Sequence, residues 1–239
     1  MKFKMPVLSF VSILLFLLGI VCELTISAGM LWSEIETRIY TPKSDSLNLA
    51  VQCPLLLSYT ETGTINTVVS NSLDEEAEPV VVADISRNGD AQEFSEILTL
   101  PPHTSKAMFW NVDASNIIFG RMILISVTQR PYRDLQSRQG YCGILLLDLL
   151  GLRGWQMLFL ICSASLLCLI LGAALWLKIY TAMDEQTRTV TRAFGSLAIF
   201  ASLGLVSAIL RWWGLTMILD GIVLMLIGVI FTEVLFNPR

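Results

Sequence analysis

The sequence predicts a membrane α-helical protein with four transmembrane helices and an all-β sandwich inserted between the first and the second. Three observations carry this reading. The composition is that of an integral membrane chain: of 239 residues 54% are hydrophobic and 15% charged, against about 25% charged in an average soluble domain. Long apolar runs flank one central stretch on both sides. That stretch, Leu47 to Leu147, is the one long segment that reads as water-soluble. Its runs GTINTVVSN, PVVVADIS, EFSEILTL, SKAMFWNV and GRMILISVT alternate apolar with polar residues, the period of strands with one buried face. Pro79, Asn88-Gly89, Pro101-Pro102 and Pro131 punctuate them, and such residues set turns and do not continue a sheet interior.

Residues 1–32 open with Lys2 and Lys4 and continue VLSFVSILLFLLGIVCELTISAGMLW. The apolar stretch outruns the roughly 7–15 residues of a signal-peptide core. The best cleavage position, after Ala28, has Ile26 where a small residue belongs. An uncleaved first helix is therefore expected. Glu23 lies about two turns below Trp32, at a depth where an ionised carboxylate costs about 2.5–3.5 kcal/mol, so it should face protein. A proton or ion relay and an interhelical polar contact both account for it. No chain of further acids follows it through the membrane, which favours the contact.

Residues 33–46 are polar and turn-rich and read as a stem; the sandwich occupies 47–147. Cys53 and Cys142, the only cysteines of the insert, stand near its two ends. With the insert outside the cytoplasm a disulfide between them is expected, closing a long loop worth about 4–5 kcal/mol by the chain-entropy account. Two buried thiols are the alternative. Two cysteines and the single histidine, His103, fall short of a four-ligand zinc site, and no metal or cofactor is expected.

The run YTETGTINTVVSNSLDEEAEPVVV followed by ILTLPPHTSKAMFWNV resembles bacterial extracytoplasmic immunoglobulin-like modules of the CARDB and NEW3 type. Gly63, Ile65, Val69 and Asn71 match the family's Gly-x-hydrophobic-x-x-x-Val-x-Asn strand, and Leu100, Pro102 and Ser105 its later Leu-x-Pro-x-Gly-x-Ser turn. His103 stands where the family has glycine, which makes it a turn residue. The resemblance covers less than half the chain. It implies an immunoglobulin-like sandwich that spaces or presents a binding surface, and it supplies no catalytic residues.

No nucleophile constellation accompanies these strands. His103 sits in a Pro-rich turn without a serine elbow near it, and Glu75-Glu76 in the loop SLDEEAEP reads as a solvated charge run. The chain is expected not to be an enzyme. Between Met30 and Gly154 there are fifteen Asp and Glu against nine Lys and Arg, and elsewhere five against seven, a balance that argues against a nucleic-acid partner.

Residues 148–180 form an interfacial connection and the second helix, framed by Trp155, Trp176 and Tyr180, with Gly172, Ala173 and Ala174 as a small-residue face. Residues 181–192 read as a cytoplasmic loop, and 193–239 as the third and fourth helices joined by a tight external hairpin at RWWG. With the amino terminus inside, Lys2, Lys4, Lys178, Arg188, Arg192 and Arg239 are all cytoplasmic, and Arg211 is the one basic residue of the external hairpin. The positive-inside rule selects this orientation. Both termini are then cytoplasmic and the sandwich is extracytoplasmic.

Asp220 follows the hairpin by about 9 Å of helix, a depth similar to that of Glu23. Glu23, Arg211 and Asp220 are therefore expected to form an intramembrane polar cluster in which the arginine offsets a carboxylate. Inverted repeats, broken helices and a filter-like loop are not evident in the sequence. The functional expectation is a non-catalytic accessory or assembly subunit in the cell membrane. Its partners would be membrane lipid and another membrane protein; a small-molecule ligand is left open. The rival is a small transporter or channel subunit using Glu23 and Asp220.

Overall fold

The computed structural model describes residues 4–40, 46–87, 90–149, 151–179 and 185–236. It divides into two compact units, Trp32–Met157 and a second made of Met1–Leu31 with Leu158–Arg239.

The first unit contains nine strands among the described residues: β1 (Leu47–Asn48), β2 (Val51–Gln52), β3 (Leu56–Leu57), β4 (Gly63–Ser70), β5 (Val80–Arg87), β6 (Asp90–Ile97), β7 (Ser105–Val112), β8 (Met122–Gln129) and β9 (Arg138–Leu146). One sheet runs β1-β9-β8-β5-β6, with β3 also on β9; the other runs β2-β4-β7. The short first strands explain the mixed character of the larger sheet. β1 and β3 lie parallel to β9 at Arg138–Gln139 and Leu145–Leu146, whereas β2 between them pairs antiparallel with β4. The chain thus crosses from one sheet to the other and back within eleven residues, stitching the sandwich along one side.

Alternation decides which side chains meet. Ile65 and Val69 of β4 and Met108 and Val112 of β7 face Val81, Ala83 and Ile85 of β5 and the inward rows of β8 and β9 in a single core, as a period of two requires. The turn expected at Asn88-Gly89 lies outside the described residues.

The polar segment after Trp32, expected as a stem, is helical: α1 spans Lys4–Tyr40. Ser33, Glu34 and Thr37 are buried, and Glu34 pairs with Arg38 one turn on at 3.2 Å. Gly143 of β9 permits this packing, because a Cβ there would run into the Ser33 carbonyl. The helix therefore continues past Trp32 with this face packed closely on β9, an approach that the missing Cβ of Gly143 allows. The segment 41–45 lies outside the described residues.

The second unit is helical: α1 to Leu31, α2 (Gly154–Ile179), α3 (Glu185–Ile209) and α4 (Trp213–Phe236). The loop expected at 181–192 is helical from Glu185 onward. α1, α2 and α3 are long and apolar enough to cross a membrane, and α4 is apolar along Trp213–Val229. Exposed Leu17 and Leu18, Leu166 and Leu167, and Met217 and Ile218 give these helices apolar outer surfaces, the pattern of helices whose solvent is hydrocarbon. Inside, Phe16, Ile20, Leu169, Leu197, Ala201 and Val223 form a core layer. α1 approaches α2 at Gly172, whose missing Cβ would lie 3.1 Å from the Phe16 nitrogen and the Ser12 carbonyl. Small residues are favoured where helix backbones come this close.

Candidate functional site: carboxyls in the helix bundle

Among the described residues of the helical unit two carboxyl side chains are buried. Glu23 of α1 is 2% exposed and Asp220 of α4 is 7% exposed. Each is met by hydroxyls from neighbouring helices. The Ser165 hydroxyl of α2 donates to Glu23 Oε1 at 2.8 Å, and the Ser202 hydroxyl of α3 lies 3.2 Å from Oε1 and 3.1 Å from Oε2. Ser27, one turn beyond Glu23 on the same face of α1, lies 3.0 Å from Asp220 Oδ2 and 3.2 Å from Oδ1. Gly204 of α3 makes room for that carboxyl, since a Cβ at this position would stand 2.6 Å from Oδ1.

Further hydroxyls extend the set. Ser207 of α3 and Thr216 of α4 are 2.8 Å apart, and the Ser12 hydroxyl donates to the Gly172 carbonyl at 2.7 Å. The seam links α1 to α2, α3 and α4 through side-chain hydrogen bonds, each of which satisfies a group that would be costly to leave bare in a low-dielectric interior. Beyond it, toward the amino-terminal end of α1, lies the apolar layer of Phe16, Ile20, Leu169, Leu197 and Val223. Among the described residues no group of three or more His, Cys, Asp or Glu could hold a metal ion.

Arg211 has a backbone role. It follows α3 with φ +61°, its N–H bonds to the Ala208 carbonyl at 3.0 Å, and the Trp212 N–H reaches back to the Ser207 carbonyl at 2.9 Å. This pair of bonds is the Schellman closure, with Arg211 at the left-handed position that glycine usually fills. The hydrogen-bonded partners found at both carboxyls are serines. The sequence analysis singles out none of Ser27, Ser165, Ser202 and Ser207, because a hydroxyl in an apolar helix signals its partner only when the facing helix is known.

In the sandwich, Cys53 and Cys142 are joined by a disulfide with a Cα–Cα distance of 6.5 Å, fastening the segment between β2 and β3 to β9. Asn71 is 2% exposed, and its amide donates to the carbonyls of Glu75, Leu100 and Pro101 at 2.8, 3.0 and 3.1 Å. One side chain thereby pins two turns at the end of the sandwich. His103 occupies the third position of the turn Pro101–Thr104, closed by the Thr104 N–H on the Pro101 carbonyl at 3.3 Å, with φ +54°. Its ring lies 2.8 Å from Asp74 in an exposed pair. Glu61 caps the first turn of α2, accepting from the Gly154 N–H at 2.7 Å, a favourable place for an anion.

No family model and no curated protein matches this chain. Solved structures similar to it include red sea bream transglutaminase, at 11% identity and a TM-score of 0.35 over 45% of this chain and 17% of that one. Another is the CARDB domain of a Pyrococcus furiosus protein in complex with di-metal ions, at 12% identity and a TM-score of 0.31 over 44% of this chain and 97% of that one. A third is β-glucosidase from Listeria innocua in complex with glucose, at 12% identity and a TM-score of 0.32 over 45% and 17%. The chain thus spans about a sixth of the length of the transglutaminase and the glucosidase.

Proposed function

We propose that this chain is a four-span membrane protein whose sandwich is an immunoglobulin-like extracytoplasmic domain. In this reading it serves as a non-catalytic accessory or assembly subunit of a larger membrane complex. The observation that carries the reading is the state of the two buried carboxyls. Each is engaged by serines of neighbouring helices, and the apolar layer beneath closes the bundle, so the polar seam acts as an interhelical fastening. The Lys and Arg asymmetry supports an external sandwich, and the disulfide suits an oxidising compartment.

Presentation of a surface is also supported. The outward row of the three-stranded sheet carries Val68 and Phe109, 55% and 64% exposed, on neighbouring strands whose inward rows fill the core. Exposed aromatic side chains on a rigid sheet are favourable interface anchors. The test is purification of the full chain from native membranes in mild detergent. The reading expects a second protein to co-migrate in fixed stoichiometry and to be lost on Phe109→Ser. A chain that migrates alone and carries ion flux when reconstituted would overturn it.

A further inference from the structure

The sandwich has one end from which its chain runs on into α2. β9 points toward that end and is followed by α2. β3, parallel to β9 at Leu145 and Leu146, ends there as well, and β8 begins there, since Met122 is paired with Leu145. The first turn of α2 is fixed to this end twice. Glu61, in the loop after β3, accepts from the Gly154 N–H at 2.7 Å, and the buried Met157 shares an apolar cluster with Leu56, Ile118, Met122 and Leu145.

Ile118 and Met122 bracket a hairpin tip. They exchange backbone bonds at 2.7 and 3.1 Å, and the Arg121 N–H closes the turn on the Ile118 carbonyl at 3.4 Å. Phe119 and Gly120, between them, have φ of +53° and +72°. Positive φ at both central positions is the type I′ pattern, for which Asn-Gly is the preferred pair, and a bulky aromatic residue there is an outlier. The ring is not part of the core, because Phe119 is 64% exposed. The tip is nevertheless held in place: the Tyr59 hydroxyl, from the loop that carries Glu61, donates to the Gly120 carbonyl at 2.7 Å. Backbone strain kept at an exposed aromatic residue points to a use for the ring.

The level of the tip says what the ring meets. Met157 lies about 3 Å further along α2 than Trp155, Trp155 is 64% exposed, and a tryptophan at the start of a span stands among the headgroups. The cluster that joins Ile118, Met122 and Met157 thus brings the tip to the same level. Tyr59 and Leu149, also exposed, add apolar surface near it. The exposed acidic run 74–76 follows the opposite end of β4, away from headgroups that would repel it. We infer that Phe119 is an interfacial anchor: the hairpin 118–122 inserts its ring at the headgroup–acyl boundary of the bilayer that α2 crosses, seating the sandwich on the membrane. The anchor rests on the membrane-spanning reading and is independent of the accessory role.

The test places a nitroxide on the full chain in phosphatidylcholine liposomes, with Cys22, Cys162 and Cys168 replaced by alanine and the Cys53–Cys142 disulfide kept. Labels go, one at a time, at Phe119→Cys, at Phe109→Cys on the exposed face of β7 and at Leu166→Cys on the outer surface of α2. Collisions with apolar oxygen are compared with collisions with a water-soluble nickel complex. The oxygen-to-nickel ratio should be severalfold higher at 119 than at 109 and approach that at 166. Equal ratios at 119 and 109 would overturn the anchor. So would shielding of 119 from both reagents, which would put a protein, whether another chain or a second copy, on the ring. Phe119→Asn should raise the melting temperature in detergent, because Asn-Gly suits this turn; a fall would show that the ring serves the fold and would also overturn the anchor. An aqueous ratio at 166 would contradict the membrane-spanning reading itself, and the anchor with it, an outcome distinct from failure at 119 alone.

Discussion

Ser27 of α1 stands 3.0 Å from the carboxyl of Asp220 on α4, so the first and last helices of the chain are joined by one buried hydrogen bond across 193 residues of sequence. Glu23, one turn earlier on α1, is bonded in the same way to α2 and α3. The first helix is therefore the common partner of the other three. Removing the Ser27 hydroxyl leaves a buried carboxyl without its donor, which costs about 1–3 kcal/mol. Ser27→Ala should lower the melting temperature in detergent, and Ser27→Ala with Asp220→Asn should cost less than the two single effects added. Full additivity would mean that the two groups do not interact.

The disulfide closes a loop with a sequence separation of 89. Replacing Cys53 and Cys142 by serine should destabilise the sandwich by about 4–5 kcal/mol. Peptide mapping without reduction should recover the two cysteines linked; alkylation of both in native membranes would refute the bridge.

Among the described residues four other than glycine hold left-handed backbone, where glycine is the unstrained choice: Phe119, Arg133, His103 at φ +54° and Arg211 at φ +61°. His103→Gly should stabilise the sandwich by about 0.5–1 kcal/mol, since the left-handed conformation costs an L-residue about 1–2 kcal/mol and the exposed contact with Asp74 contributes little. Arg211→Gly should likewise raise the melting temperature if the residue serves the helix terminus. A fall would indicate that its guanidinium offsets a buried charge.

Asp84 of β5 lies directly opposite Glu93 of β6. Burial, and then the Glu93 charge, push its carboxyl above the ordinary range, with Arg130 opposing. Between the unfolded and the raised folded value the folded state binds more protons, so stability should fall as pH rises through that window. Asp84→Asn should remove this decline and leave the variant more stable than the wild type at neutral pH. Parallel pH–stability curves would show that the pair is not responsible.

The sandwich was legible in two ways: the run from Gly63 carries the alternation of a strand with one buried face, whereas the runs from Val80 and Met122 are buried along most of their length and are marked by their β-branched and apolar residues. β1, β2 and β3, of two residues each, are too short for a period to register. The end of α1 escaped notice because Ser33, Glu34 and Thr37 are buried yet polar, so the segment has no apolar stripe, and the feature that seats it is Gly143, more than a hundred residues away. The pinning role of Asn71 depends on a turn 30 residues later. The carboxyls announced themselves by their cost in an apolar helix. Their partners did not, since Ser165 and Ser202 look in sequence like other small residues of membrane helices.

The central claim is that the buried carboxyls fasten helices and do not conduct. It is tested most directly by reconstituting wild-type chain, Glu23→Gln and Asp220→Asn in sealed vesicles, measuring proton and cation flux alongside thermal stability. The account predicts that the wild type adds no flux over protein-free vesicles and that both variants melt at lower temperature. Wild-type flux abolished by either substitution, with assembly and melting temperature unchanged, would contradict it.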